Sequence, residues 1–147
     1  MTKQTSQEKL YAGIQMTRPL LRYITARVEA DLKGTGISVG QRAILEVLFG
    51  VGKATAPEIT RYLDVKRQFV GRELKEMENL GLVDSEPNPS HKSSKYYKLT
   101  QRSRPIIESI RAREVAQICA FAERFTNAEI AAFHKVQSAL LAEFSSH

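Results

Sequence analysis

The sequence predicts a mainly helical fold carrying one small β-hairpin. Apolar residues recur at helical spacing in five segments, three capping-box signatures precede helical stretches, and two short runs, one with paired tyrosines, flank a basic turn that contains proline. At 147 residues and 42% hydrophobic content the chain is long enough for one domain with its own core, and too apolar for disorder at a net charge of +6.

Leu10, Ile14, Leu21, Ile24 and Val28 mark a first helix from about Gln7 to Lys33, with Pro19 expected to kink it. Gly34, Thr35 and Gly36 break the chain. Ser38 with Gln41 then makes a capping box for a second helix striped by Ile44, Val47, Leu48 and Val51 and ended by Gly50 and Gly52. Thr55 with Glu58 repeats the box, Pro57 is tolerated in the first turn, and a short third helix runs through Tyr62. Val70, Leu74, Met77 and Leu80 share one face of a fourth helix over about 66 to 79, which Gly81 stops.

Leu82 to Glu86 and Lys95 to Leu99 read as two strands around a long tip. Ile107, Ile110, Ile118, Phe121 and Phe125 define a fifth helix beginning near Ser103 or Arg104, since Pro105 fits only a first turn. Thr126 with Glu129 caps a last helix striped by Ile130, Phe133, Val136, Leu140 and Phe144.

Charge is unevenly spread. Residues 87 to 104 hold Lys92, Lys95, Lys98, Arg102 and Arg104 and no acid, so five net positive charges fall within the predicted hairpin tip and its flanks. On the fourth helix, Arg67, Gln68, Gly71, Arg72 and Lys75 lie opposite the apolar face, while most of its acids come later. Two short helices joined by a tight turn, the second basic at its front, are the elements of a helix-turn-helix. An α-helix fits the major groove of B-DNA, where Arg and Lys reach guanine and Gln pairs with adenine. Gly71 would allow close backbone approach to DNA; the competing reading is a weak spot costing about 1 kcal/mol relative to Ala. Lys92 and Lys95 on a hairpin tip could reach phosphates or an adjacent minor groove.

Residues 37 to 104 contain, in order, ISVGQ, TAPEI, RQFV, the GLV before the wing and the YKLT that closes it. In that order and spacing these motifs resemble the winged helix-turn-helix of the multiple-antibiotic-resistance regulator (MarR) family. The resemblance implies a winged helix-turn-helix over 37 to 103, with residues 1 to 36 and 104 to 147 as flanking dimerisation helices. It further implies a homodimeric regulator, with repression expected, on a pseudo-palindromic double-stranded operator, modulated by a small aromatic effector. The DNA-facing residues would be Thr55, Lys66, Arg67, Gln68, Gly71, Arg72 and Lys75, with His91, Lys92, Ser93 and Lys95 in the wing. His91 and Ser93 stand where many members carry an Asp-x-Arg pair, so Lys92 or Lys95 is left to supply the missing cation. Ser103 stands where many members have Gly, which implies a slightly different start to the fifth helix. Tyr11, Met16 and Tyr23 are candidates to line the effector pocket, with dimer or core packing as the plainer alternative.

Other chemistry finds less support. No run free of Asp, Glu, Lys and Arg exceeds eight residues, against about 20 mostly apolar residues for a spanning helix, so no membrane partner is expected. Gly50, Val51, Gly52 and Lys53 lack the first glycine and the final Ser/Thr of a phosphate loop. His91, His134, His147 and Cys119 show no metal-ligand spacing, and no cofactor or catalytic constellation is expected. Cys119 sits in an apolar stretch where a small buried side chain is the default over a redox role. A single cysteine and a polar start without a secretory signal fit a cytoplasmic setting. An adaptor that keeps the fold without binding DNA is the alternative function, but it would not need the basic wing and helix front.

Overall fold

The structure is a computed structural model that describes residues 3–91 and 93–146. Its elements are α1 (Ser6–Asp31), α2 (Val39–Val51), β1 (Lys53–Thr55), α3 (Ala56–Leu63), α4 (Arg67–Asn79), β2 (Val83–Glu86), β3 (Tyr96–Leu99), α5 (Ser103–Ala122) and α6 (Asn127–Ser145). They group into two compact units, Met1–Ile107 and Glu108–His147.

All three expected capping boxes form. Ser38, Thr55 and Thr126 each accept from the backbone N–H three residues on, and the Gln or Glu there reaches back to the cap N–H. Thr5 and Glu8 form a fourth box at the start of α1. These reciprocal bonds satisfy N–H groups that a helix otherwise leaves without partners. The α1 helix continues unbroken through Pro19.

The first unit holds the core. Ile44, Leu45 and Leu48 of α2, Ile59 of α3, Val70, Leu74 and Met77 of α4, and Ala54, Val83 and Leu99 of the strands are all buried. Three of the four stripe residues expected on α4 therefore fall inward, leaving its basic face outside, whereas Leu80, at the helix C-cap, is 40% exposed. At its end, Leu82 N–H donates to Met77 O at 2.8 Å and Gly81 N–H to Glu78 O at 3.1 Å, with Gly81 at φ 73°. This is a Schellman stop, which needs the left-handed conformation that glycine adopts without strain. The motif feeds the chain straight into β2.

The wing is larger than the two strands expected. Its sheet has the order β1-β3-β2, with both pairings antiparallel. β1 joins through Lys53↔Lys98 and Thr55↔Tyr96, while β2 pairs Val83↔Leu99 and Glu86↔Tyr96. Three residues are too few to display strand alternation, so β1 is defined by the β3 edge it pairs with. Ser103 starts α5, with its N–H donating to Thr100 Oγ1 at 3.1 Å and Thr100 N–H to Ser103 Oγ at 3.0 Å. The Ser103 hydroxyl thus fastens the wing's exit to the helix.

Neither α1 nor α6 has a buried residue. Leu10, Leu21 and Ile24 on α1, and Phe133, Leu141 and Phe144 on α6, are exposed. Cys119, expected to be buried, is instead exposed. The apolar stretch around it is not covered within its own unit.

Candidate nucleic-acid interface

The third and fourth helices meet through Asp64, Val65 and Lys66. Asp64 adopts the left-handed conformation (φ 52°, ψ 53°) and donates its N–H to Thr60 O. Asp tolerates this region better than most residues, so a sharp turn forms without glycine. The turn aims the start of α4 outward.

That start differs from the other described N-caps. Lys66 has the extended backbone of an N-cap (φ −75°, ψ 141°) but makes no side-chain cap hydrogen bond, and the first turn contains no acid. The orphan N–H groups and the positive end of the helix dipole are therefore joined by the Lys66 and Arg67 cations. Such a turn favours an anion, and phosphate is the usual one. Lys66, Arg67, Gln68, Gly71, Arg72 and Lys75 are all exposed, and they share one helix. A Cβ added at Gly71 would meet nothing within 4 Å. Packing inside the chain therefore does not call for glycine there.

Thr55 stands apart from this group. It is 6% exposed, and its hydroxyl accepts from Glu58 N–H and donates to Glu58 Oε1 at 3.0 Å. Its chemistry is spent on capping α3.

In the wing, Asn88 shapes the turn, accepting from Ser90 N–H at its Oδ1 (3.0 Å) and from His91 N–H at its carbonyl (3.2 Å). Ser93 Oγ lies 2.9 Å from His91 Nδ1. The Ser93 hydroxyl thus orients the nearby imidazole. His91, Ser93 and Lys95 are exposed; Lys92 lies outside the described residues.

Two of the five basic residues counted in this stretch have other partners. Lys98 Nζ is 3.2 Å from Glu86 Oε2, and Lys53 Nζ is 3.2 Å from Glu86 Oε1. Hydrogen bonds from Lys53 and then Lys98 hold the Glu86 carboxyl below its ordinary pKa. Arg102 Nη1 donates to Leu80 O, closing the end of α4. The basic wing is therefore narrower than its composition suggests.

Sequence reasoning passed over Phe69. Its ring lies beneath the Arg72 guanidinium, 5.9 Å from Cζ to centroid, and the signal was an aromatic residue three positions before an arginine on the helix with the basic face. The effector candidates Tyr11, Met16 and Tyr23 are 66%, 60% and 65% exposed along α1. A concavity of about 720 Å³ in the first unit is lined instead by residues such as Glu29, Lys33, Ser38, Gln41 and Glu76, and not by those three. Among the described residues, no helix is long and apolar enough to cross a membrane, and no three His, Cys, Asp or Glu side chains converge as metal ligands.

A family model described as MarR family matches residues 35–92. A MarR family transcription regulator of known crystal structure is 46% identical, with 95% of this chain and 92% of that one covered and a TM-score of 0.86. Two more distant structures share the fold. AbsC, a MarR family transcriptional regulator from Streptomyces coelicolor, is 16% identical with 100% of both chains covered and a TM-score of 0.81. FabT of Streptococcus pneumoniae, solved in complex with DNA, is 18% identical with 91% and 96% covered and a TM-score of 0.80. No curated protein matches the chain. With near-complete coverage at 46% identity, the chain belongs to the MarR family of transcription regulators.

Proposed function

We propose that this regulator is a homodimer that binds a pseudo-palindromic operator in double-stranded DNA and represses transcription until a small aromatic effector weakens the complex. The observation that carries the reading is the exposed, acid-free and uncapped first turn of α4, flanked by Lys66 and Arg67. An α4 from each subunit would enter successive major grooves roughly 34 Å apart. Lys66, Arg67 and Lys75 serve phosphates, Gln68 and Arg72 read base edges, and Gly71 lets the helix approach closely. His91, Lys92 and Lys95 extend the contact from the wing, with His91 held by Ser93. Thr55 contributes by capping α3.

Residues 37 to 103 form the reading head in this proposal, and residues 1 to 36 and 104 to 147 the dimerisation region. The exposed apolar residues of α1 and α6 support that division, because stripes of this kind are normally covered. An effector acts by favouring the subunit spacing that does not fit the operator; a coupling of about 1 to 3 kcal/mol changes affinity roughly 5- to 150-fold.

The test is selection of bound fragments from sheared genomic DNA, followed by a salt titration on the selected site. A preferred site whose log affinity falls steeply with log salt is expected. No preferred site, or salt-insensitive binding, would refute the proposal.

A further inference from the structure

We propose that Gly40, on α2 and outside the DNA-facing helix, is a positioning residue for the Arg72 guanidinium and acts through the Phe69 ring. The inference rests on the reading of α4 as the helix that enters the groove.

A Cβ built at Gly40 would lie 2.5 Å from Phe69 Cζ, 3.2 Å from Cε2 and 3.5 Å from Cε1. The outer edge of the ring therefore occupies the space that any other residue at position 40 would fill. Gly40 is not among the glycines with positive φ, so backbone conformation does not call for glycine there. Space does. Arg72 follows Phe69 by three residues, and its Cζ lies 5.9 Å from the ring centroid, within range of cation–π attraction. One ring thus has its edge against α2 and its face beneath a guanidinium assigned to base reading.

A second contact keeps α4 from yielding as a whole. Gln41 Nε2 donates to Glu73 Oε2 at 3.2 Å, while Gln41 Oε1 accepts from Ser38 N–H at 3.1 Å as part of the α2 cap. Gln41 itself is 4% exposed. With the helix tied at Glu73 and Val70 fully buried beside it, a side chain at position 40 would displace the Phe69 ring and leave the backbone of α4 in place. The guanidinium would lose its platform and gain rotamer freedom, and bidentate pairing with a base depends on a narrow geometry.

The experiment compares Gly40→Ala, Phe69→Leu, Arg72→Ala and the Gly40→Ala/Arg72→Ala double variant on the selected operator and its single-base-pair variants. Arg72→Ala is expected to lower discrimination about 5- to 150-fold at one base pair of each half-site. Gly40→Ala and Phe69→Leu should lower it at that same base pair, with the salt slope unchanged. Gly40→Ala should add nothing in the Arg72→Ala background. Alanine is the better helix former, so Gly40→Ala should fold; if it does not, Phe69→Leu decides alone. A wild-type profile in Gly40→Ala, or a uniform loss on all sequences, overturns the relay while Arg72 remains the reader. An unchanged profile in Arg72→Ala removes the base-reading assignment, and the relay falls with it.

Discussion

Replacing Lys66 by serine should make the protein more stable and a weaker DNA binder in the same step. Lys66 already has N-cap geometry, close to that of Thr5, Ser38, Thr55 and Thr126, which all carry capping boxes. A serine oxygen at position 66 would accept from the N–H of Phe69, the third residue of α4. Phe69 cannot return the bond as Glu or Gln would, so the gain is that of a single cap, about 1 kcal/mol. For a chain of this size that raises Tm by about 4 °C. The same oxygen removes a donor available to phosphate, and one cation is lost per subunit. Each lost phosphate contact lowers the slope of log affinity against log salt by about 0.9, hence by about 2 for a dimer. Thermal melts and a salt titration of Lys66→Ser on the selected operator measure both quantities. A raised Tm with an unchanged salt slope would refute the assignment of phosphate to this turn, and an unchanged Tm would refute the cap argument.

Gly71→Ala meets no atom within 4 Å, so it should stabilise the helix by about 1 kcal/mol while weakening operator binding; unaltered affinity would show that the α4 backbone does not approach DNA closely. Phe133→Glu places a charge on an exposed apolar position of α6; the expected result is a monomer in sedimentation with poor operator affinity, and a persistent dimer would exclude α6 from the interface at that point. Glu129 has its pKa lowered chiefly by the backbone hydrogen bond from Thr126. Its stabilising effect is therefore complete above the ordinary carboxylate range and lost as pH falls through the lowered folded-state value. Glu129→Gln keeps a capping residue and should flatten the acid limb of Tm against pH; an identical limb would count against this linkage.

The helix starts were legible because they are local. Ser38 with Gln41, Thr55 with Glu58, and Thr126 with Glu129 each close a hydrogen-bonded pair within four residues, and the same signature at Thr5 and Glu8 was available but passed over. The inward face of α4 was legible for a similar reason, since Val70, Leu74 and Met77 repeat with the period of the helix. β1 was not, because Lys53 to Thr55 is extended only by virtue of its pairing with β3.

The two glycines show where sequence reading stops. Gly71 could be read as a close-approach position and Gly40 attracted no notice, yet Gly71 has open space around it and Gly40 lies against an aromatic ring from another helix. Charge divides in the same way. Composition counts five bases between residues 87 and 104, but Lys98 is taken by Glu86 and Arg102 by the Leu80 carbonyl. By itself the sequence determined the helices, their caps, the basic front of α4 and the family, because these depend on residues within a turn or two of one another. Tertiary structure alone decided which surface cations are paired within the chain, which edge recruits a third strand and which glycine is packed. Those outcomes depend on partners brought together across 12 to 45 positions of chain, and no local pattern encodes them.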